Sequence, residues 1–180
     1  MHGMTLGARW ARAEDLIVPA RVQAALVGKV ASFDRNFSAR VKERVTIAVV
    51  VKSSSSDSER AAAQMLGAFR EVGPVAGLPH EELRVQWTDA SSLAAFCADR
   101  KVAIVYLTPG FDKEAVSIAK ALEVSRVLTV AGTLSYIKEG LVLGFDLVSG
   151  RPKLVVNLAS ARRQGIAFDS SFLAITRVVQ

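Results

Sequence analysis

The sequence predicts an α/β fold, with a mostly parallel central sheet, helices on both of its faces and an antiparallel hairpin towards the C-terminus. Three observations lead there. Val45–Val51 and Val102–Leu107 are continuous aliphatic runs rich in β-branched residues, the pattern of strands buried on both faces. The stretches between such runs carry apolar residues at helical spacing, and alternating β and α elements build parallel sheets covered on both sides. After Gly140 the grammar changes. Two strand-like runs, 141–148 and 153–158, are joined by Ser149-Gly150-Arg151-Pro152, which reads as a hairpin turn. A length of 180 residues suits one domain.

The elements follow in order. Pro19 suits the first turn of a helix. Val22, Leu26, Val30, Phe33 and Phe37 then recur at steps of three and four, predicting one helix of about five turns, with Arg21, Lys29, Asp34 and Arg35 off its stripe. The Val45–Val51 strand runs into a polar loop, Lys52 to Ser56. Ser56 and Glu59 have capping-box spacing for a helix through 61–69, which Gly73-Pro74 stops. Residues 83–87 alternate and read as a more exposed strand. Asp89 caps a helix through Ala98. The Val102–Leu107 strand breaks at Thr108-Pro109-Gly110, and a helix follows with Ala115, Ile118, Ala119 and Leu122 on one face. Residues 127–130 read as a strand and 133–139 as a short helix. Past the hairpin, 159–164 form a short helix ended by Gly165. Asp169 or Ser170 caps a last helix with Phe172, Ile175 and Val179 on one face.

Composition narrows the function classes. Hydrophobic residues make up 51% and aromatic ones only 7%, so the core is aliphatic. The net charge is +6, concentrated in the first 44 residues but not interleaved with aromatics, which argues against a nucleic-acid face. No apolar run is long enough to span a bilayer. Cys97, the one cysteine, lies in an apolar helix and reads as structural. Near the N-terminus, Ala11-Arg12-Ala13 has the small-x-small pattern of a signal-peptidase site, without an apolar segment ahead of it. Residues 1–18 therefore read as a leader remnant or a flexible tail, and 19–180 as the folded domain.

The search for chemistry returns little. There is no G-x-G-x-x-G, no P-loop and no G-x-S-x-G, so no cofactor fingerprint and no nucleophile elbow. Of two histidines, His2 lies in the tail and His80 in a loop beside Glu81 and Glu82, three neighbours that rarely converge on a metal. No cofactor, metal or catalytic residue is expected. Two loops are candidates for a ligand, because open parallel sheets bind ligands beyond the carboxyl ends of their strands. One holds Ser54 and Ser55, ahead of a helix N-terminus that could cradle an anion. The other holds Tyr106 and Thr108. Helix capping and plain packing are the competing structural roles. Asn157 interrupts an apolar strand and, if buried, needs hydrogen-bond partners.

Gly140, Gly144-Phe145, Gly150-Arg151-Pro152 through Asn157-Leu158, Ala161-Arg-Arg-Gln-Gly165 and Phe168-Asp-Ser-Ser-Phe-Leu-Ala form a series that resembles the YfiR-like family. Gly144, Gly150, Asn157 and Gly165 are its structural landmarks. The likeness extends from about Pro19 to Val179. It implies a periplasmic α/β domain without enzymatic activity, which regulates an inner-membrane sensor enzyme and through it cyclic di-GMP output. The partner implied is a diguanylate cyclase or a histidine kinase, with a homodimer as a further association and neither nucleic acid nor a membrane span involved. The cysteine pairs of the best-known member are missing here, so its disulfide control does not carry over. Three functions are thus weighed: a regulator that docks through apolar residues of the first or last helix, a small-ligand module at the two loops, and, least supported, an enzyme using His80.

Overall fold

The computed structural model describes residues 16–179. The Ala11-Arg12-Ala13 motif lies outside them. Seven strands form one sheet in the order β2-β1-β3-β4-β5-β6-β7. They are β1 (Val45–Val51), β2 (His80–Gln86), β3 (Val102–Leu107), β4 (Leu128–Ala131), β5 (Leu143–Val148), β6 (Arg151–Asn157) and β7 (Arg177–Val179). Strands β1 to β5 are parallel. β6 runs antiparallel to β5, and β7 lies parallel to β6. Every residue of β1 and β3 is buried, as their unbroken aliphatic runs require.

The helices are α1 (Ala20–Val30), α2 (Phe37–Arg40), α3 (Ser56–Arg70), α4 (Ala90–Asp99), α5 (Ala115–Leu122), α6 (Ser135–Lys138), α7 (Leu158–Arg163) and α8 (Ser170–Ile175). Two apolar layers sandwich the sheet. On one face Val27, Met65 and Phe69 from α1 and α3 pack on Ile47, Val49 and Ile104, continuing to Phe168 and Phe172. On the other, Leu93, Ile118, Leu122 and Ile137 from α4, α5 and α6 pack on Val50, Val105 and Leu107.

Three local readings change. The five-turn first helix is broken into α1, a 3-10 turn and α2. Asp34 is the cause. It is extended at φ −86° and ψ 107°, and its Oδ1 accepts from the N–H groups of Asn36 (3.0 Å) and Ala167 (2.9 Å) while Oδ2 pairs with Arg40. Aspartate offers the backbone a local alternative to helix. The face of α1 that is buried is also rotated, to Gln23, Ala24, Val27, Gly28 and Val30. Ser55 rather than Ser56 caps α3, its Oγ accepting from Ser58 N–H at 3.3 Å. The last helix stops at Ile175, and Val179 belongs to β7, where the β-branched tail pairs with β6 instead of completing a helix.

The landmark residues have physical reasons to be where they are. Asn157 is buried and caps α7. Its Oδ1 accepts from Ser160 N–H (2.9 Å), and its Nδ2 donates to Ile137 O (2.8 Å), tying β6 to α6. Gly150 at the hairpin turn and Gly165 after α7 have φ of +74° and +69°, a region that L side chains rarely adopt. Gly144 lets Ile137 of α6 lie directly on β5.

Candidate functional site

The order β2-β1-β3 creates a switch point, because the chain leaves β1 towards one side of the sheet and β3 towards the other. Ligands of doubly wound folds bind in the crevice between two such strand ends. Here the crevice is bounded by the loop after β1, with Lys52 to Ser55, and by the loop after β3, with Thr108 to Glu114.

The protein's own side chains fill it. Lys52 Nζ donates to Glu114 Oε1 (2.7 Å) and Gly110 O (3.0 Å) and stands 5.5 Å from the centre of the Phe111 ring. Below it, Lys52 N–H donates to Ser58 Oγ (2.8 Å), which lies 2.6 Å from Thr108 Oγ1. Thr108 donates its proton to Val50 O at 2.7 Å. Ser58 must therefore donate to Thr108, so this short chain of hydroxyls runs in one direction. Tyr136 accepts from Phe111 N–H at 2.8 Å, and burial pushes its hydroxyl up to about 12, so it stays protonated.

Of the sequence-derived candidates, Ser54 is exposed in the loop and Ser55 is half-buried as the α3 cap. Tyr106 and Thr108 are fully buried. The Tyr106 hydroxyl turns away from the loop and donates to Gln23 Oε1 of α1 at 2.8 Å, while burial holds its pKa far above the usual value. The four residues therefore share no open surface. Lys52, Ser58 and Glu114, which carry the polar chemistry of the crevice, are found by topology. Their spacing in the sequence carries no signal. His80 is the first residue of β2 rather than a loop residue. Its Nδ1 meets Glu82 Oε1 at 2.5 Å and its Nε2 meets Val72 O at 3.0 Å. Burial raises the Cys97 thiol to about 12, far from a reactive thiolate. Among the described residues no group of three His, Cys, Asp or Glu could hold a metal ion, and no helix is long and apolar enough to cross a membrane.

Apolar side chains are exposed in the last strands, towards the opposite edge of the sheet. Leu147 (42% exposed) and Val148 (51%) end β5, and Ile175 (62%) and Val178 (40%) flank and form β7. Lys153 Nζ donates to Ile175 O, and Arg177 pairs with Asp146, both at 2.8 Å, which holds residues 175–177 against the hairpin. Among the described residues the far edge of β7 has no strand partner. The other edge strand, β2, carries His80, Glu81, Glu82 and Arg84, the charged guard expected of a sheet edge. β7 lacks that guard at Val178 and Val179.

Comparison with known proteins agrees with this architecture. Residues 20–177 match the model of the family described as DUF4154, YfiR/HmsC-like. No curated protein matches the sequence. Among solved structures, the ABC domain in complex with L-Trp from Streptococcus pneumoniae shares 15% identity and a TM-score of 0.61, over 89% of this chain and 60% of that one. A conserved domain protein of Vibrio cholerae O1 biovar El Tor shares 14% identity and a TM-score of 0.63, over 90% and 60%. The ligand-free, open form of a substrate binding protein with adhesive properties from Clostridium difficile shares 12% identity and a TM-score of 0.56, over 76% and 54%. The chain thus spans about three fifths of the first two, and the likeness is one of α/β fold.

Proposed function

This chain belongs to the YfiR/HmsC-like family, and from that premise we propose that it is a non-enzymatic periplasmic regulator. It docks on the periplasmic part of an inner-membrane sensor enzyme, a diguanylate cyclase or a histidine kinase, and modulates cyclic di-GMP signalling. The observation that carries the reading is the exposure of Ile175 and Val178 at the β7 edge and of Leu147 and Val148 at the end of β5, in a chain whose switch-point side chains Lys52, Glu114, Ser58 and Thr108 are paired with one another. Apolar surface left open at a sheet edge favours association with another chain. The docking face lies at the last helix and the strand after it. Of the apolar stripe of the first helix, Val30 and Phe37 are buried, and Val22, Leu26 and Phe33 pack against the core while partly exposed.

The test is co-purification of the tagged, exported protein with native membranes, compared with an Ile175→Glu/Val178→Glu variant of equal thermal stability. Enrichment of one cyclase or kinase by the parent and its loss in the variant would support the reading. Equal recovery by both, or a parent that purifies alone, would refute it.

A second reading is a small-ligand module. It is favoured by the solved neighbours, one bound to L-Trp and one a substrate binding protein, and by Glu114 Oε2, a buried carboxylate oxygen of the crevice without a protein partner. Saturable binding of a small molecule that Ser54→Ala or Thr108→Val removes would establish it.

A further inference from the structure

A second surface, far from the β7 edge in sequence, is shaped by α1. Three depressions of about 480, 510 and 570 Å³ lie side by side, two against α1 and the last against residues 31–42 that follow it. The middle one shares Arg21, Ala68 and Glu71 with the first, and Ser32 and Ala76 with the last, so together they form one continuous trough. Its first wall is α1, about 16 Å long at 1.5 Å per residue. Its second is α3 and the loop that follows.

The floor is low because its residues are small. Gly28, Gly67, Ala68 and Ala76 line it, and a Cβ placed on Gly67 would meet nothing within 4 Å. The rim is cationic. Between residues 20 and 44 there are six basic residues against Asp34 and Glu43. Arg21 is paired with Glu71 and Arg40 with Asp34. Lys29, Arg35 and Lys42 are exposed along the trough and make no ion pair among the described residues. Part of the basic balance of the first 44 residues thus lies beside a concave surface.

We infer that this trough receives an acidic, narrow segment of the docked partner, a helix or extended chain with carboxylates towards Lys29, Arg35 and Lys42 and small side chains on the floor. The inference rests on the reading of the chain as a docking regulator and assigns it a second contact of opposite chemistry to the apolar β7 edge. Charge complementarity names an acidic occupant, and it would steer the encounter and fix its register. Concavity favours a protein segment over a lipid surface, because a flat anionic bilayer would touch only the rim and leave the floor empty.

The test uses the full chain and three defined probes: a fluorescein-labelled helical peptide of Glu-Ala-Ala-Ala repeats, its Lys counterpart, and phosphatidylglycerol vesicles. Anisotropy at low salt is expected to show saturable binding of the acidic peptide and none of the basic one. Lys29→Glu/Lys42→Glu should weaken it about tenfold and reduce its dependence on salt. Gly67→Trp puts a large side chain into the trough without changing charge, at a helical position where a Cβ meets nothing within 4 Å, and should also weaken binding several-fold with the fold retained. Acidic-peptide binding indifferent to Gly67→Trp would overturn the trough as the site, as would binding to vesicles alone or no peptide binding below about 1 mM. The charge-reversal variant also separates this inference from its premise. If native membranes still capture it through Ile175 and Val178 as well as they capture the parent, the second contact is refuted and the docking reading stands.

Discussion

Gly144→Ala puts a close helix-to-strand contact to a quantitative test. A Cβ at residue 144 of β5 would sit 2.9 Å from Ile137 Cδ1 and closer still to Ile137 Cγ1. Carbon atoms prefer about 3.5–4.0 Å. Ile137 is itself fully buried on α6, among Tyr136, Leu141 and Val155. The helix cannot simply lift, since Ile137 O accepts from Asn157 Nδ2. Forcing a methyl into a packed core costs about 1–3 kcal/mol. Removing a glycine from a strand returns about 0.4–1 kcal/mol through the unfolded chain. The net expectation is a loss of about 1–2 kcal/mol, or roughly 2–8 °C in Tm for a domain of this size.

A double-mutant cycle isolates the contact. Ile137→Ala alone should cost about 2–5 kcal/mol through the cavity it leaves. It also deletes both atoms that the new methyl group would strike, so Gly144→Ala in that background should be neutral or slightly stabilising. Urea unfolding of the four proteins gives the interaction energy, expected at about 1–2 kcal/mol in favour of the pair. If Gly144→Ala destabilises equally in both backgrounds, the steric explanation of this landmark glycine is wrong.

Other perturbations probe other links. Asn157→Ala removes both the α7 cap and a buried bond to α6, and should cost about 2–3 kcal/mol in urea unfolding. Tyr106→Phe leaves Gln23 Oε1 buried without its donor and should cost about 1–3 kcal/mol, while leaving any ligand binding untouched. A thiol reagent should label Cys97 only on unfolding, since it is buried with its pKa pushed up to about 12; rapid labelling of the native protein would contradict this. The Ser171 hydroxyl and the Phe172 N–H hold the Asp169 carboxyl below its ordinary 3.8. Its contribution to stability is present above that value and lost as pH falls through the lower folded one, so Asp169→Asn should flatten the acid limb of a pH–stability profile.

What was legible in the sequence depended on whether a signal was local. The aliphatic runs of β1 and β3 and the caps at Asp89 and Asp169 are short-range patterns, and the chain obeys them. The first helix misled because its spacing of apolar residues continues through Asp34. The bonds that break it there, to Ala167 and Arg40, involve a residue 133 positions away and an ion pair that no periodicity encodes. β7 misled for a similar reason. Thr176 to Val179 can be helix or strand, and the open edge of β6 decides. The candidate site divided along the same line. Ser55 was legible as a cap residue one position out of register. Tyr106 was legible as a packed residue of a strand buried on both faces, but its bond to Gln23, 83 positions away, was not.

The state of the switch point bears on where function can lie in this molecule. In a doubly wound sheet the loops after β1 and β3 offer backbone N–H groups and hydroxyls to a ligand. Here the side chains that carry the polar chemistry are already paired. Ser55 Oγ accepts from its own helix, Ser58 donates to Thr108, which donates to Val50 O, and Lys52 is neutralised by Glu114. An anion entering the crevice would have to displace that ion pair and would meet Asp57 and Glu59 in the first turn of α3, which already answer the helix dipole. The outer surfaces present the converse. Among the described residues the β7 edge has no strand partner, and Lys29, Arg35 and Lys42 along the trough make no ion pair. Unmet bonding capacity is what recognition uses. In this fold the exposed apolar and cationic groups lie at the sheet's edge and along the trough, the two places where docking is proposed.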